Sequence, residues 1–255
     1  MLPSLYISHG SPMLALEPGA SGPALRALAA NLDTPKGIIV MSAHWETQSL
    51  QVSSAAHPST WHDFSGFPPA LYQVNYPAPG DPGLASRVAQ LLNDQGLPAT
   101  LDANRPFDHG TWVPLSLMYA QATIPVVQVS LPSAHGPAMQ YRIGQALTQL
   151  RGEGYLLIGS GSITHNLREL DWQATHDAAQ PWAQAFRDWV VQALTDNAQN
   201  ALLDYRQHAP HAARNHPTDE HLLPLFFAYG AGTAFSVAHT GFTLGALGMD
   251  IYRFD

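Results

Sequence analysis

Gly37-Ile38-Ile39-Val40-Met41-Ser42-Ala43-His44-Trp45 is the stretch that decides the fold. Its apolar run is β-branched and shows no polar alternation, the pattern of a strand buried on both faces. The run stops at Ser42-Ala43, which puts His44 just past the strand. Three other runs read the same way. Leu5-Tyr6-Ile7 stops at His9-Gly10, residues 124–131 form a third, and Tyr155-Leu156-Leu157-Ile158 stops at Gly159-Ser160-Gly161-Ser162. Between them lie helical patterns over residues 23–32, 84–94, 139–150 and 182–203, the last long and amphipathic. Strands alternating with helices indicate a sheet covered on both sides. Residues 234–239 and 249–254 read as two more strands. Their Gly-rich connection is too short for a crossover helix, so they are expected to be antiparallel. The expectation is an α/β chain: one domain over residues 1–255, three-layer α/β/α, with a mixed, mostly parallel central sheet.

In open α/β sheets, ligands bind beyond the carboxyl ends of the strands. Histidines collect at those places. The chain has 13 histidines and no cysteine. His9 and His44 follow strands among small residues that leave room for an ion. His165 follows the Gly-Ser-Gly-Ser stretch, read as a turn after the strand, and His109 lies in Asp108-His109-Gly110-Thr111-Trp112. His221 closes His216-Pro217-Thr218-Asp219-Glu220-His221, where Thr218 is a plausible N-cap with acidic residues in the first turn. Read locally, that segment is equally a helix start that holds two histidines. His57, His135, His176, His208 and His239 carry no such placement. Imidazole is the usual protein ligand for zinc and for non-haem iron, and the usual general base near neutral pH. The pattern points to a metal site.

Composition narrows the alternatives. Hydrophobic residues make up 45%, enough for a substantial core, and charged residues only 12%. With a net charge of -8, and Lys36 as the single lysine, there is no basic patch for nucleic acid. Zero cysteine removes disulfides, thiolate nucleophiles and sulfur-ligated metal sites. No apolar run is long enough to span a membrane. The first residues lack a basic n-region, so no signal peptide is expected and a cytoplasmic location is. No obligate protein partner is evident. Gly159-Ser160-Gly161-Ser162 fails both the dinucleotide fingerprint, whose third glycine would fall on Thr164, and the P-loop pattern. The aromatic stretch from Trp61 to Tyr72, with Phe64 and Phe67, reads as a loop that could wall a flat apolar ligand.

Taken in order, several segments resemble the class III, LigB-type extradiol ring-cleavage dioxygenases, in the 4,5-DOPA dioxygenase extradiol branch. They are His9-Gly10-Ser11-Pro12-Met13, Ser42-Ala43-His44-Trp45, His62-Asp63-Phe64-Ser65-Gly66-Phe67-Pro68, Tyr76-Pro77-Ala78-Pro79-Gly80-Asp81-Pro82, Asp108-His109-Gly110-Thr111-Trp112, Gly159-Ser160-Gly161-Ser162 with His165-Asn166-Leu167, and His216-Pro217-Thr218-Asp219-Glu220-His221. The resemblance implies one divalent metal held by His9, His44 and His221. His165 would be the acid/base residue, or a fourth ligand, and His109 would lie near bound oxygen or substrate. It implies a small aromatic diol and O2 as reactants, and the aromatic loop is then expected to set Trp61, Phe64 and Phe67 against the ring. Protocatechuate-type relatives complete the site with a carboxylate, whereas here His221 takes that role. An all-imidazole set suits Fe(II), needed for ring cleavage, and Zn(II) as well. Two alternatives stay open: a zinc hydrolase and a non-catalytic metal-binding relative on the same fold.

Overall fold

The computed structural model describes residues 1–174 and 179–255. His176 lies outside the described residues. Eight strands form the main sheet: β1 (Ser4–Ser8), β2 (Gly37–Glu46), β3 (Leu50–Ser53), β4 (Ala99–Asp102), β5 (Val126–Leu131), β6 (Tyr155–Gly161), β7 (Phe235–His239) and β10 (Ile251–Phe254). Their order is β4-β3-β5-β2-β6-β1-β10-β7. The centre, β5-β2-β6-β1, is parallel throughout. Antiparallel β10 and β7 close one edge, and β3 runs antiparallel to β5 at the other. A two-stranded ribbon, β8 (Phe242–Thr243) and β9 (Leu247–Gly248), fills the Gly-rich connection.

The helices are α1 (Ser21–Ala30), α2 (Pro82–Asp94), α3 (His109–Met118), α4 (Gly136–Gly152), α5 (Pro181–Thr195), α6 (Gln199–Leu203), α7 (Tyr205–His208), α8 (Ala212–Asn215) and α9 (Leu223–Ala231). Successive side chains of a strand point to opposite faces, and the central strands divide accordingly. Ile39, Met41 and Leu157 pack with α2, α4, α5 and α9 on one face, while Ile38, Val40, Leu156 and Ile158 pack with α1 and α3 on the other. The mixed three-layer sheet agrees with the pattern read from the sequence. No helix among the described residues is long and apolar enough to cross a membrane.

Four expectations need correction. β2 continues through Glu46, so His44 sits within the strand, not after it. Gly159, Ser160 and Gly161 are strand residues of β6 and form no turn. Their small size has a different use: a Cβ at Gly159 would lie 2.0 Å from the Pro224 carbonyl oxygen, so only glycine lets α9 seat on the sheet there. The long helix over 182–203 is two helices, broken where Asn197 takes a left-handed φ of 51°. Finally, Thr218 caps no helix. α9 begins at Leu223, and Asp219 closes the preceding turn by accepting the Leu222 and Leu223 amides at 2.9 and 3.1 Å.

Candidate metal centre

Parallel strands put their carboxyl ends on one edge of the sheet. β1 delivers His9, β2 delivers His44, and the β6 end adjoins the turn that carries His221. The Gly161 carbonyl accepts the His9 amide at 2.9 Å, and the next residue's amide, Ser162 N–H, donates to the His221 carbonyl at 2.8 Å. Gly161 itself leaves the space that turn occupies, since a Cβ there would lie 2.0 Å from the His221 oxygen. The buried Tyr6 hydroxyl donates to the same oxygen at 3.1 Å.

The result is a cluster of rings. One candidate ligand nitrogen from each of His9, His44 and His221 lies within 4.8 Å of the others. The outer nitrogens of His9 and His221 are held by partners that fix the tautomer. Ser160 Oγ gives its only proton to the Gly110 carbonyl at 2.5 Å. It must therefore accept from His9 Nδ1, 3.0 Å away, which leaves His9 Nε2 with a free lone pair. His221 Nδ1 donates to Glu220 Oε1 at 2.9 Å, with the same consequence. The Nδ1 edge of His44 faces Asp63 Oδ2 at 3.9 Å, too far for a direct hydrogen bond. An acceptor behind the outer nitrogen is the usual arrangement for metal-ligating imidazoles, and His9 and His221 each have one.

The inner contact is informative. His9 Nε2 and His44 Nε2 stand 3.1 Å apart. Two lone pairs at that distance repel unless a proton or a cation lies between them. Two nitrogens on one tetrahedral ion at about 2.0–2.1 Å would be roughly 3.3 Å apart. The donor set therefore fits a small divalent ion held by nitrogen alone.

His109 opens α3 behind its N-cap Asp108 and packs on His44 with ring centroids 3.9 Å apart. Its Nδ1 donates to Asp63 Oδ1 at 2.9 Å, so its Nε2 is the free acceptor. Burial pushes the Asp63 carboxyl up, but its bonds to His109 outweigh that and hold it below the usual carboxylate value. Asp108 is tied to Ser42 at 2.6 Å and to Arg105 at 2.5 Å. His165 lies flat on His221, centroids 3.4 Å apart and planes 8° from parallel. It does not join the His9–His44–His221 grouping; its own grouping is with Glu220 and His221. His216 turns away and donates through Nε2 to the Ile163 carbonyl at 3.0 Å.

These rings floor a cavity of about 280 Å³. Phe64, Phe67, Leu167, Leu170, Trp172, Leu244 and Leu247 wall it. Trp61 does not line it. That side chain is 43% exposed and stacks on Arg105, and its carbonyl accepts from Trp112. Sequence reasoning passed over Asp63, Glu220 and Ser160, although each is adjacent to a quoted histidine or inside a quoted segment. What marks them is a contact across the fold or along a turn, which no spacing reveals.

Burial, reinforced by neighbouring histidines, pulls His9 and His221 well below the ordinary imidazole value of 6.5. Burial likewise lowers His44, His165 and His216 to about 4. The unfolded chain takes up protons at these sites from about pH 6.5 downward, and the native protein does not until about pH 4 or below. The unfolded state thus binds more protons in this window, so stability rises with pH and is lost as pH falls. The metal-free protein should show a Tm that drops steeply between pH 6.5 and 4. A flat profile across that range would contradict the buried, neutral cluster.

The family model for the catalytic LigB subunit of aromatic ring-opening dioxygenase matches residues 3–254. The chain belongs to the LigB family. It is thus an enzyme of a dioxygenase family. The chain is 40% identical to the 4,5-DOPA dioxygenase extradiol of Escherichia coli K12, over 97% of this chain and 93% of that protein. It is also 40% identical to the protein of the same name from Beta vulgaris, over 98% and 96%. A crystal structure of an uncharacterised Escherichia coli K12 protein superposes with a TM-score of 0.86 at 34% identity, covering 100% of both chains. Extradiol cleavage is the activity these named relatives share.

Proposed function

We propose that residues 1–255 form a single catalytic domain that opens the ring of a catechol in an extradiol reaction dependent on a divalent metal. The observation that carries this reading is the convergence of His9, His44 and His221, with the outer nitrogens of His9 and His221 tied down, at the floor of an aromatic-walled cavity. Those three residues would hold Fe(II) for ring cleavage, and Zn(II) suits the same nitrogens. When bound, Fe(II) supplies charge that acidifies a phenol and a redox centre able to pass electrons to O2.

The chain's own residues do the rest. His165 is neutral above about pH 4 and borders the cavity, so a ring nitrogen can accept a phenolic proton. His109 offers Nε2 to a diol or oxygen atom, while Asp63 steadies its Nδ1 proton. Phe64 and Phe67 lie against the substrate ring, and the leucines keep water out. Trp61 has no part in this ring contact. The carbon–carbon bond beside the diol breaks, and both atoms of O2 enter the product, one as a carbonyl and one in a carboxylate. No further reductant is consumed.

The test is anaerobic removal of metal, reloading with Fe(II), and exposure to a catechol in air. The expected result is O2 uptake with a coloured ring-opened product, absent in the Zn(II)-loaded protein. An Fe(II)-loaded protein that consumes no O2 across a catechol panel would sink the reading.

A further inference from the structure

The cavity walls carry more information than the reaction class. Among the described residues, the side chains lining the cavity are apolar apart from its histidines and Ser11, with Phe64, Phe67, Leu167, Leu170, Trp172 and Leu247 forming most of the wall. Among the described residues no lysine or arginine lines it. The cations lie elsewhere. Lys36 donates to the Glu153 carbonyl, at the opposite end of the parallel strands. Arg105 is committed to Asp108 and the His44 carbonyl, packed between Trp45 and Trp61. Arg214 pairs with Glu169, and exposed Arg168 is not on the lining. The charges that do approach the floor are carboxylates, Asp63 behind His109 and Glu220 behind His221.

A substituent that enters this space leaves water and meets hydrocarbon. An ionised carboxylate there would lose its hydration without gaining a partner, and it would face like charges nearby. An alkyl or aryl group would gain from the same burial. The rim extends that apolar surface outward: Leu167 is 55% and Trp172 71% exposed. A cavity of about 280 Å³ suits a ring with a short substituent that reaches this rim.

We propose that the cavity selects catechols bearing an uncharged, apolar substituent over those bearing a carboxylate or an amino-acid group. This rests on the dioxygenase reading above. By the same inference DOPA, whose side chain is a zwitterion, binds this cavity poorly.

The experiment compares 4-ethylcatechol, 3-(3,4-dihydroxyphenyl)propionate and DOPA. Calorimetric Kd values on the Zn(II)-loaded protein test the inference without turnover, and O2 uptake by the Fe(II)-loaded protein tests the reaction. The expected order places 4-ethylcatechol at least about tenfold tighter than either charged compound. Equal or tighter binding of the carboxylates overturns the inference, whether or not the ring is opened. Ordered binding with no O2 uptake leaves the inference standing and removes the dioxygenase reading. Leu167→Arg, at an exposed rim position, should tighten the propionate about tenfold. No change for the propionate would remove Leu167 from the substituent's path and overturn the assignment of the rim.

Discussion

His165→Ala in the Fe(II)-loaded protein is expected to keep its metal and lose turnover by roughly a hundredfold to ten-thousandfold, the usual range for a missing general base. The two halves of that result have separate origins. His165 stands outside the grouping formed by His9, His44 and His221, so removing it subtracts no donor from those three. It does strip one face from His221, on which it lies flat at 3.4 Å. His221 keeps its hold through Glu220 on Nδ1 and through Tyr6 and Ser162 on its carbonyl oxygen. The catalytic loss follows from the missing base, because burial keeps the His165 ring neutral down to about pH 4 and ready to accept a proton. Metal content measured beside kcat decides the matter. Heavy metal loss would make His165 a ligand, and unchanged turnover would make it neither.

The second large effect comes from a single methyl group. Gly161→Ala should destabilise the fold by about 1–3 kcal/mol, as overpacking does. It should also weaken metal binding, by roughly tenfold to a hundredfold, as disturbing a ligand's support does. The added Cβ would sit 2.0 Å from the His221 carbonyl oxygen and 3.0 Å from its carbon, and both are backbone atoms that cannot swing aside. The turn carrying His221 must lift, while His9, bonded to the Gly161 carbonyl, stays with the sheet. One ligand then moves relative to another. Metal titration and thermal melting of the variant supply the check. Wild-type affinity would show that the turn adapts without moving the ring.

The quoted Gly37–Trp45 stretch reveals a buried strand because continuous apolar residues admit few other structures. The same logic yields β1, β5 and β6 and the mixed sheet. Strands β3 and β4 were not legible, since each is four residues long and lies toward the sheet edge, where alternation is too brief to register. Helix α3 was also missed. It is nearly uniformly buried, with Pro114 inside it, so it lacks an amphipathic stripe. Gly159-Ser160-Gly161 looked like a turn because small residues usually mark one. Here they serve a close approach that depends on α9, more than sixty residues downstream. The histidines of the centre were legible from their placement, but Asp63 and Glu220 were not, because carboxylates also populate ordinary loops and helix starts.

The centre draws on the ninth residue of the chain and on one more than two hundred positions later. During synthesis, His9 and His44 emerge early, and the pair alone is a weak bidentate trap for any passing cation. The third imidazole arrives only after β6 is in place and its turn can dock on Gly161. Loading with the correct ion is therefore a late event, open only to a nearly finished molecule. In a cell, tight metal occupancy would act as a certificate of complete folding, and an unfinished chain would hold an ion only weakly.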